Sequence, residues 1–171
     1  HREKNIEGSQ EVDYNIVHNQ LLKEGYEVEN LSIVSTREIP EDTDVLVIAG
    51  PQDKILAEEQ DIISKYLDND GKLLALLDPK TSGKNGDGLS ELLEKWGIKV
   101  NEGAVVDPKQ YFWTDISTPV VQEWGSHQIT SDLPAAFFPG VKGVGQADSH
   151  PGYTEVSELV STSGNSWLEK N

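Results

Sequence analysis

Apolar positions along this chain follow a repeated pattern: an amphipathic helix, a glycine, then an apolar strand. Val12, Ile16, Val17, Leu21 and Leu22 recur at helical spacing, Gly25 follows, and Tyr26 to Val34 reads as a strand. In the second round Ile62, Ile63, Tyr66 and Leu67 form the apolar stripe. Glu58 and Glu59 fall in its first turn, where carboxylates complement the helix dipole. Asn69-Asp70-Gly71 ends that helix, and Lys72 to Leu77 is the next strand. In the third round Leu89, Leu92, Leu93 and Trp96 form the stripe, Gly97 closes it and Ile98 to Val100 follows. Glycine just beyond a helix supplies the left-handed residue that ends it.

A further strand, Asp44 to Ala49, precedes the second helix. Val45 to Ala49 and Leu73 to Leu77 are unbroken apolar runs rather than alternating ones. Such runs belong to strands covered on both faces, as in parallel sheets. Strands alternating with helices predict βαβ units with right-handed crossovers. The expected fold class is therefore α/β, a three-layer sandwich around a mostly parallel sheet. After about Asn101 the pattern weakens. Ala104 to Val106 and Val156 to Thr162 are candidate strands, and Pro119, Pro134, Pro139 and Pro151 punctuate the rest. The reading is one domain over 1–171, with 101–171 the more irregular part.

Two strands end in turn signals, Gly50-Pro51 and Asp78-Pro79. Ligands of open parallel sheets usually bind at the carboxyl ends of the strands. The Gly-, Ser- and Asn-rich stretch from Lys80 to Gly88 reads as a loop at the same edge. Gly50, Pro51, Asp78 and Pro79 are thus candidate ligand contacts, with Trp113 and His127 as outlying candidates. The cluster Tyr111-Phe112-Trp113 reads either as a binding platform or as packing over the end of the sheet.

Composition removes several chemistries. The chain has no cysteine, which excludes disulfides, zinc-thiolate sites and a cysteine nucleophile. The formal net charge is −16, from 30 acidic and 14 basic residues, and such a surface repels nucleic acid and anionic lipid headgroups. No apolar run approaches the ~20 residues that span a bilayer. The chain opens on His1 and has no methionine, so it reads as a processed form or as the visible part of something longer, and any membrane anchors of a parent protein are expected outside this segment.

No catalytic constellation assembles from the sequence motifs. Gly83 to Gly88 is glycine-rich but lacks the spacing of a dinucleotide or phosphate loop. No nucleophile elbow is present. Ser126-His127 and Ser149-His150 are sequence neighbours, which does not build a triad. Asp68-Asn69-Asp70-Gly71 has the wrong spacing for a calcium loop and reads as a helix ending. No catalytic residue, metal site or cofactor is expected. Asp78, at the end of a central strand, is the carboxylate that stands out.

Several segments together resemble one family. Ile39 to Pro51 is similar to a signature of the GldG-type auxiliary domains of ABC transport systems linked to gliding motility. Tyr66-Leu67 through Gly71 to Leu74 and on to Asp78-Pro79 resembles a second motif, with Asp70 where a glycine is usual. Leu92 to Ile98, His127 to Thr130, Phe137 to Gly140, and Thr162-Ser163 with Ser166-Trp167 and Glu169 resemble three more, in the family's order.

The resemblance implies a fold like flavodoxin or the class I glutamine amidotransferases, with the first strand upstream of His1. It implies an extracytoplasmic location between membrane helices of the parent, and eukaryotic relatives in an intraflagellar transport subunit. The function expected is a non-catalytic accessory domain that binds a solute, a glycan or a partner protein. The expected partners are permease and ATPase subunits or other membrane-complex proteins, and homo-oligomers are a further option. A hydrolase using Asp78 and His127 is one alternative, and a purely structural assembly module is another.

Overall fold

Residues 14–51, 53–77, 88–149, 152 and 155–170 are described in the computed structural model. The chain divides into two units, 1–77 with 86–89, and 78–85 with 90–171.

In the first unit, helix α1 (Asn15–Lys23) ends as its sequence predicts. Gly25 takes a φ of +87°, its N–H reaches Leu22 O, and Tyr26 N reaches Leu21 O. These two bonds satisfy carbonyls the helix would otherwise leave unpaired. The apolar stripe of α1 is uncovered, and no residue of the helix is buried. The strand expected over Tyr26 to Val34 is not formed. That stretch is irregular and leads into one short helix, α2 (Ile33–Thr36), with Tyr26 and Val34 both exposed.

Strands β1 (Leu46–Ala49) and β2 (Leu73–Leu76) pair in parallel, Leu46 opposite Leu73 and Ala49 opposite Leu76. Helix α3 (Ala57–Asp68) is the crossover between them. Glu59 accepts the N–H of Leu56 at 2.9 Å and so caps the start of α3, as its first-turn position suggested. At the far end Asp70, not Gly71, takes the left-handed conformation, at φ +64°. Gly71 is needed for space instead, since a Cβ there would stand 2.5 Å from Tyr66 O. The Tyr66 hydroxyl lies 3.2 Å from Thr43 O and 3.3 Å from Lys72 O, and accepts the Lys72 N–H at 3.1 Å. One side chain on the helix thereby holds the entry to both strands. Leu46, Ile48, Ile55, Ile63 and Leu89 are buried in this unit. The outward residues Val45, Val47, Leu74 and Leu76 are exposed, so the apolar runs are not covered on both faces as expected.

The second unit takes up α4 (Leu89–Lys95) from Ser90 onward. Gly97 closes the helix at φ +90°, and β3 (Ile98–Val100) follows. Later come β4 (Ala104–Val106), β5 (Tyr111–Phe112), β6 (Asp115–Val121), β7 (Ala136–Phe137), β8 (Val144–Gln146) and β9 (Trp167–Glu169). All their pairings are antiparallel: β3 with β8, β4 with β9, and β5–β6–β7 as a three-stranded sheet. Leu92, Leu93, Val105, Val106, Val121 and Ala147 are buried. Val156 to Thr162 is not a strand. Val160 makes a single bridge to Trp124, and the last strand is β9.

The expectation of a mostly parallel, flavodoxin-like or amidotransferase-like three-layer sandwich is therefore corrected. Among the described residues β1–β2 is the parallel pair, and every other sheet is small and antiparallel. The third helix–glycine–strand unit is real, but its strand does not join β1–β2. It pairs with Val144–Gln146, more than forty residues later. Antiparallel pairs need no helical crossover, so nothing in the local period announces such a partner.

Candidate functional site

The β5–β6 hairpin carries the most exposed large hydrophobic side chain among the described residues. Trp113 and Thr114 form its two-residue turn between Phe112 and Asp115, which pair across the strands. Trp113 is 85% exposed and adopts a φ of +56°. Hairpin turns ordinarily give such positions to glycine, asparagine or aspartate, and a bulky residue there is strained.

The pairing jumps from Phe112–Asp115 to Tyr111–Pro119, so Ile116, Ser117 and Thr118 bulge out of register. Asp115 organises this bulge. Its Oδ1 accepts from Ser117 N at 2.9 Å and Ser117 Oγ at 2.6 Å, and its Oδ2 accepts from Thr118 Oγ1 at 2.7 Å. The Ser117 and Thr118 hydroxyls, with the Ser117 N–H, hold the carboxyl below its ordinary range.

Phe137 on β7 reaches across β6 and stacks on Phe112, with ring centroids 4.5 Å apart and planes 19° off parallel. Both rings stay about half exposed, at 46% and 53%. Phe138, the next residue, turns the other way and meets Trp124 edge-on at 6.2 Å. The alternation of a strand thus sends one phenylalanine outward and one inward. Tyr111 and Ile116 are also exposed. Tyr111, Phe112 and Trp113 thus all lie at the surface.

A second node lies under β4. Asp107 is fully buried and accepts four hydrogen bonds: Lys109 N at 2.9 Å, Gln110 N at 3.0 Å, Ser163 N at 2.8 Å and Ser163 Oγ at 2.7 Å. Burial pushes its carboxyl up. The hydrogen bonds, that from Gln110 first, outweigh burial and bring it below the ordinary value. All four donors come from the protein itself, so this carboxylate is a structural tie.

The residues singled out from sequence fall in different places. Gly50 and Pro51 end β1 in the first unit. Both are buried, and Gly50 donates its N–H to Leu76 O at 2.8 Å. Asp78 and Pro79 lie outside the described residues. Trp113 and His127 belong to the second unit. His127 is exposed, and its Nδ1 accepts the Ile129 N–H at 3.1 Å, capping a short 3₁₀ helix (Gln128–Thr130). That bond gives His127 a local structural role. A cleft of about 550 Å³ in the first unit and one of about 580 Å³ in the second have none of Gly50, Pro51, Trp113 or His127 in their walls. Among the described residues no group of three or more His, Asp or Glu side chains is placed to hold a metal ion. No helix among them is long and apolar enough to cross a membrane.

Sequence reasoning missed Phe137 and Asp115. Phe137 was legible only as part of a family motif. Asp115 carried no signal among so many carboxylates.

The family described as "ABC-type uncharacterized transport system" matches residues 7–171. This chain belongs to that family. The family is one of transport-system auxiliary domains, which agrees with the motif series and is consistent with an accessory role. Among curated proteins it is similar to the intraflagellar transport protein 52 homolog of Mus musculus, 28% identical over 120 residues, covering 70% of this chain and 28% of that protein. The Homo sapiens homolog is 32% identical over 85 residues, covering 50% of this chain and 20% of that protein. The chain thus spans less than a third of the length of these relatives. Among solved structures, the mmIFT52 N-terminal domain superposes with a TM-score of 0.66 at 22% identity, covering 89% of this chain and 67% of that one. This likeness concerns the fold, and it places the chain with that domain rather than with a flavodoxin-like sandwich.

Proposed function

We propose that this chain is a non-catalytic, extracytoplasmic docking domain of its transport system, binding a partner protein of the membrane complex through the β5–β6–β7 face. The observation that carries the reading is Trp113. A tryptophan held 85% exposed, in a backbone conformation that disfavours it, contributes little to folding. Strained, exposed aromatic residues beside other exposed rings are what protein-binding surfaces use. The stacked Phe112–Phe137 pair extends the surface beyond one side chain. Permease and ATPase subunits are the first candidates for the partner, given the family. Gly50 and Pro51, being buried, would support the carboxyl edge of β1 rather than touch a ligand.

Two experiments test this reading in the full-length parent. A photo-reactive phenylalanine at position 113 should crosslink to a subunit of the complex in intact cells, whereas one at exposed Glu123 should not. Equal crosslinking from both positions, or none from position 113, would discard the docking face. Location is testable too, by comparison with the unsubstituted parent, since this chain itself has no cysteine. A cysteine introduced at Gln122 should react with a membrane-impermeant maleimide added outside the cytoplasmic membrane. Labelling only after lysis would overturn the extracytoplasmic assignment.

A further inference from the structure

We infer that the tip of the β5–β6 hairpin recognises a basic segment of a partner protein, with an arginine or lysine side chain lying against the Trp113 ring and Asp115 beside it as counter-charge. This rests on the docking role proposed above and names the chemistry of what docks.

The hairpin tip points to that chemistry. Phe112 and Asp115 are cross-strand partners that bracket the Trp113–Thr114 turn, so the exposed indole and the Asp115 carboxylate belong to one tip. The face of an exposed tryptophan is the best aromatic partner for a cation.

Asp115 suits the role of counter-charge. A carboxylate offers about four acceptor positions, and Ser117 and Thr118 occupy three with the bonds described above. One remains for an incoming donor. The same bonds favour the ionised form, so the charge is present at neutral pH.

The wider charge selects the partner's sign. At a formal net charge of −16 the chain repels polyanions and attracts cationic segments. A platform for neutral sugars would also use rings and a carboxylate, but it would draw no benefit from that field.

The test uses the indole N–H signal of Trp113 in a ¹H–¹⁵N NMR spectrum, assigned by its loss in Trp113→Phe. The probes are a short glycine–arginine peptide, the same peptide with citrulline in place of arginine, and maltohexaose. The arginine peptide should shift the Trp113 signal saturably. The citrulline peptide, isosteric but neutral, and maltohexaose should not. Trp113→Ala should weaken binding at least about fivefold. Asp115→Asn should weaken it about threefold. Glu123→Gln, which removes an exposed carboxylate outside the turn, should leave binding within about a factor of two and so separates the Asp115 charge from the general acidic field.

Equal affinity in Trp113→Ala would mean that the peptide binds the acidic surface diffusely, and the inference fails. Equal binding of citrulline peptide or maltohexaose would replace a cation site by an apolar or sugar platform, and it fails again. If position 113 crosslinks a subunit but the arginine peptide does not bind, docking stands and its cationic chemistry falls. If crosslinking also fails, both fall.

Discussion

Ser163 Oγ donates to Asp107 Oδ1 at 2.7 Å, joining two residues separated by 56 positions in sequence. The same carboxylate takes Ser163 N through its other oxygen. This buried contact ties the segment before β9 to the end of β4, and it replaces water around a charge with four fixed donors.

Removing the charge should therefore be costly. Asp107→Asn leaves the Ser163 N–H facing an amide N–H₂ and should destabilise the protein by about 2–3 kcal/mol. The pH dependence has a definite sign. The folded carboxyl lies below its ordinary value of 3.8, so the stabilisation is complete above that value and is lost as pH falls through the lower folded value. Denaturant melts of wild type and Asp107→Asn, taken from neutral to strongly acidic pH, should converge at the acid end. Parallel curves would remove Asp107 from the acid response.

Asp70 offers the opposite change. It holds a φ of +64° at the end of α3, where a non-glycine residue is strained and a carboxylate meets the negative end of the helix dipole. Asp70→Gly should stabilise by about 0.5–1 kcal/mol, despite the greater freedom glycine gives the unfolded chain. A lower midpoint in urea for the variant would contradict this account.

Tyr66→Phe should destabilise by about 1–2 kcal/mol. It strips the hydroxyl that accepts the Lys72 N–H and reaches Thr43 O, with no change in ring packing. Hydrogen exchange should quicken most at Leu46 and Leu73, the first residues of the two strands. Uniform quickening through β1 and β2 would argue against a local clamp.

Trp113 should trade stability against binding. Trp113→Gly relieves a positive φ and gives up almost no buried area, so it should raise stability by about 0.5–1 kcal/mol, a few degrees in melting temperature. It should at the same time abolish binding of the arginine peptide at the hairpin. Loss of stability in Trp113→Gly would mean that the ring packs rather than docks.

Much of this protein was determined by sequence alone where the physics is local. The three helices read from Ile16, Ile63 and Leu92 exist, as do the strands at Leu46, Leu73, Ile98 and Ala104. The helix-ending glycines at 25 and 97 hold their left-handed conformations. Helical period, capping and glycine conformation are each decided within a few residues, so a few residues suffice to read them. Family membership was legible for the same reason, because its motifs are short and ordered.

Tertiary structure alone decided which strands meet. Ile98–Val100 could have extended a parallel sheet, and its apolar side chains suit either arrangement. It pairs instead with Val144–Gln146, and Ala104–Val106 pairs with Trp167–Glu169. Long-range pairing depends on packing summed over both strands and on loops that carry no period of their own. The docking surface belongs to the same class of decision. Tyr111, Phe112 and Trp113 were visible as aromatic residues, but whether they face core or solvent depends on register, and a one-residue slip reverses it. Only the folded chain stacks Phe112 on Phe137, sets Asp115 beside the turn and leaves Trp113 in water.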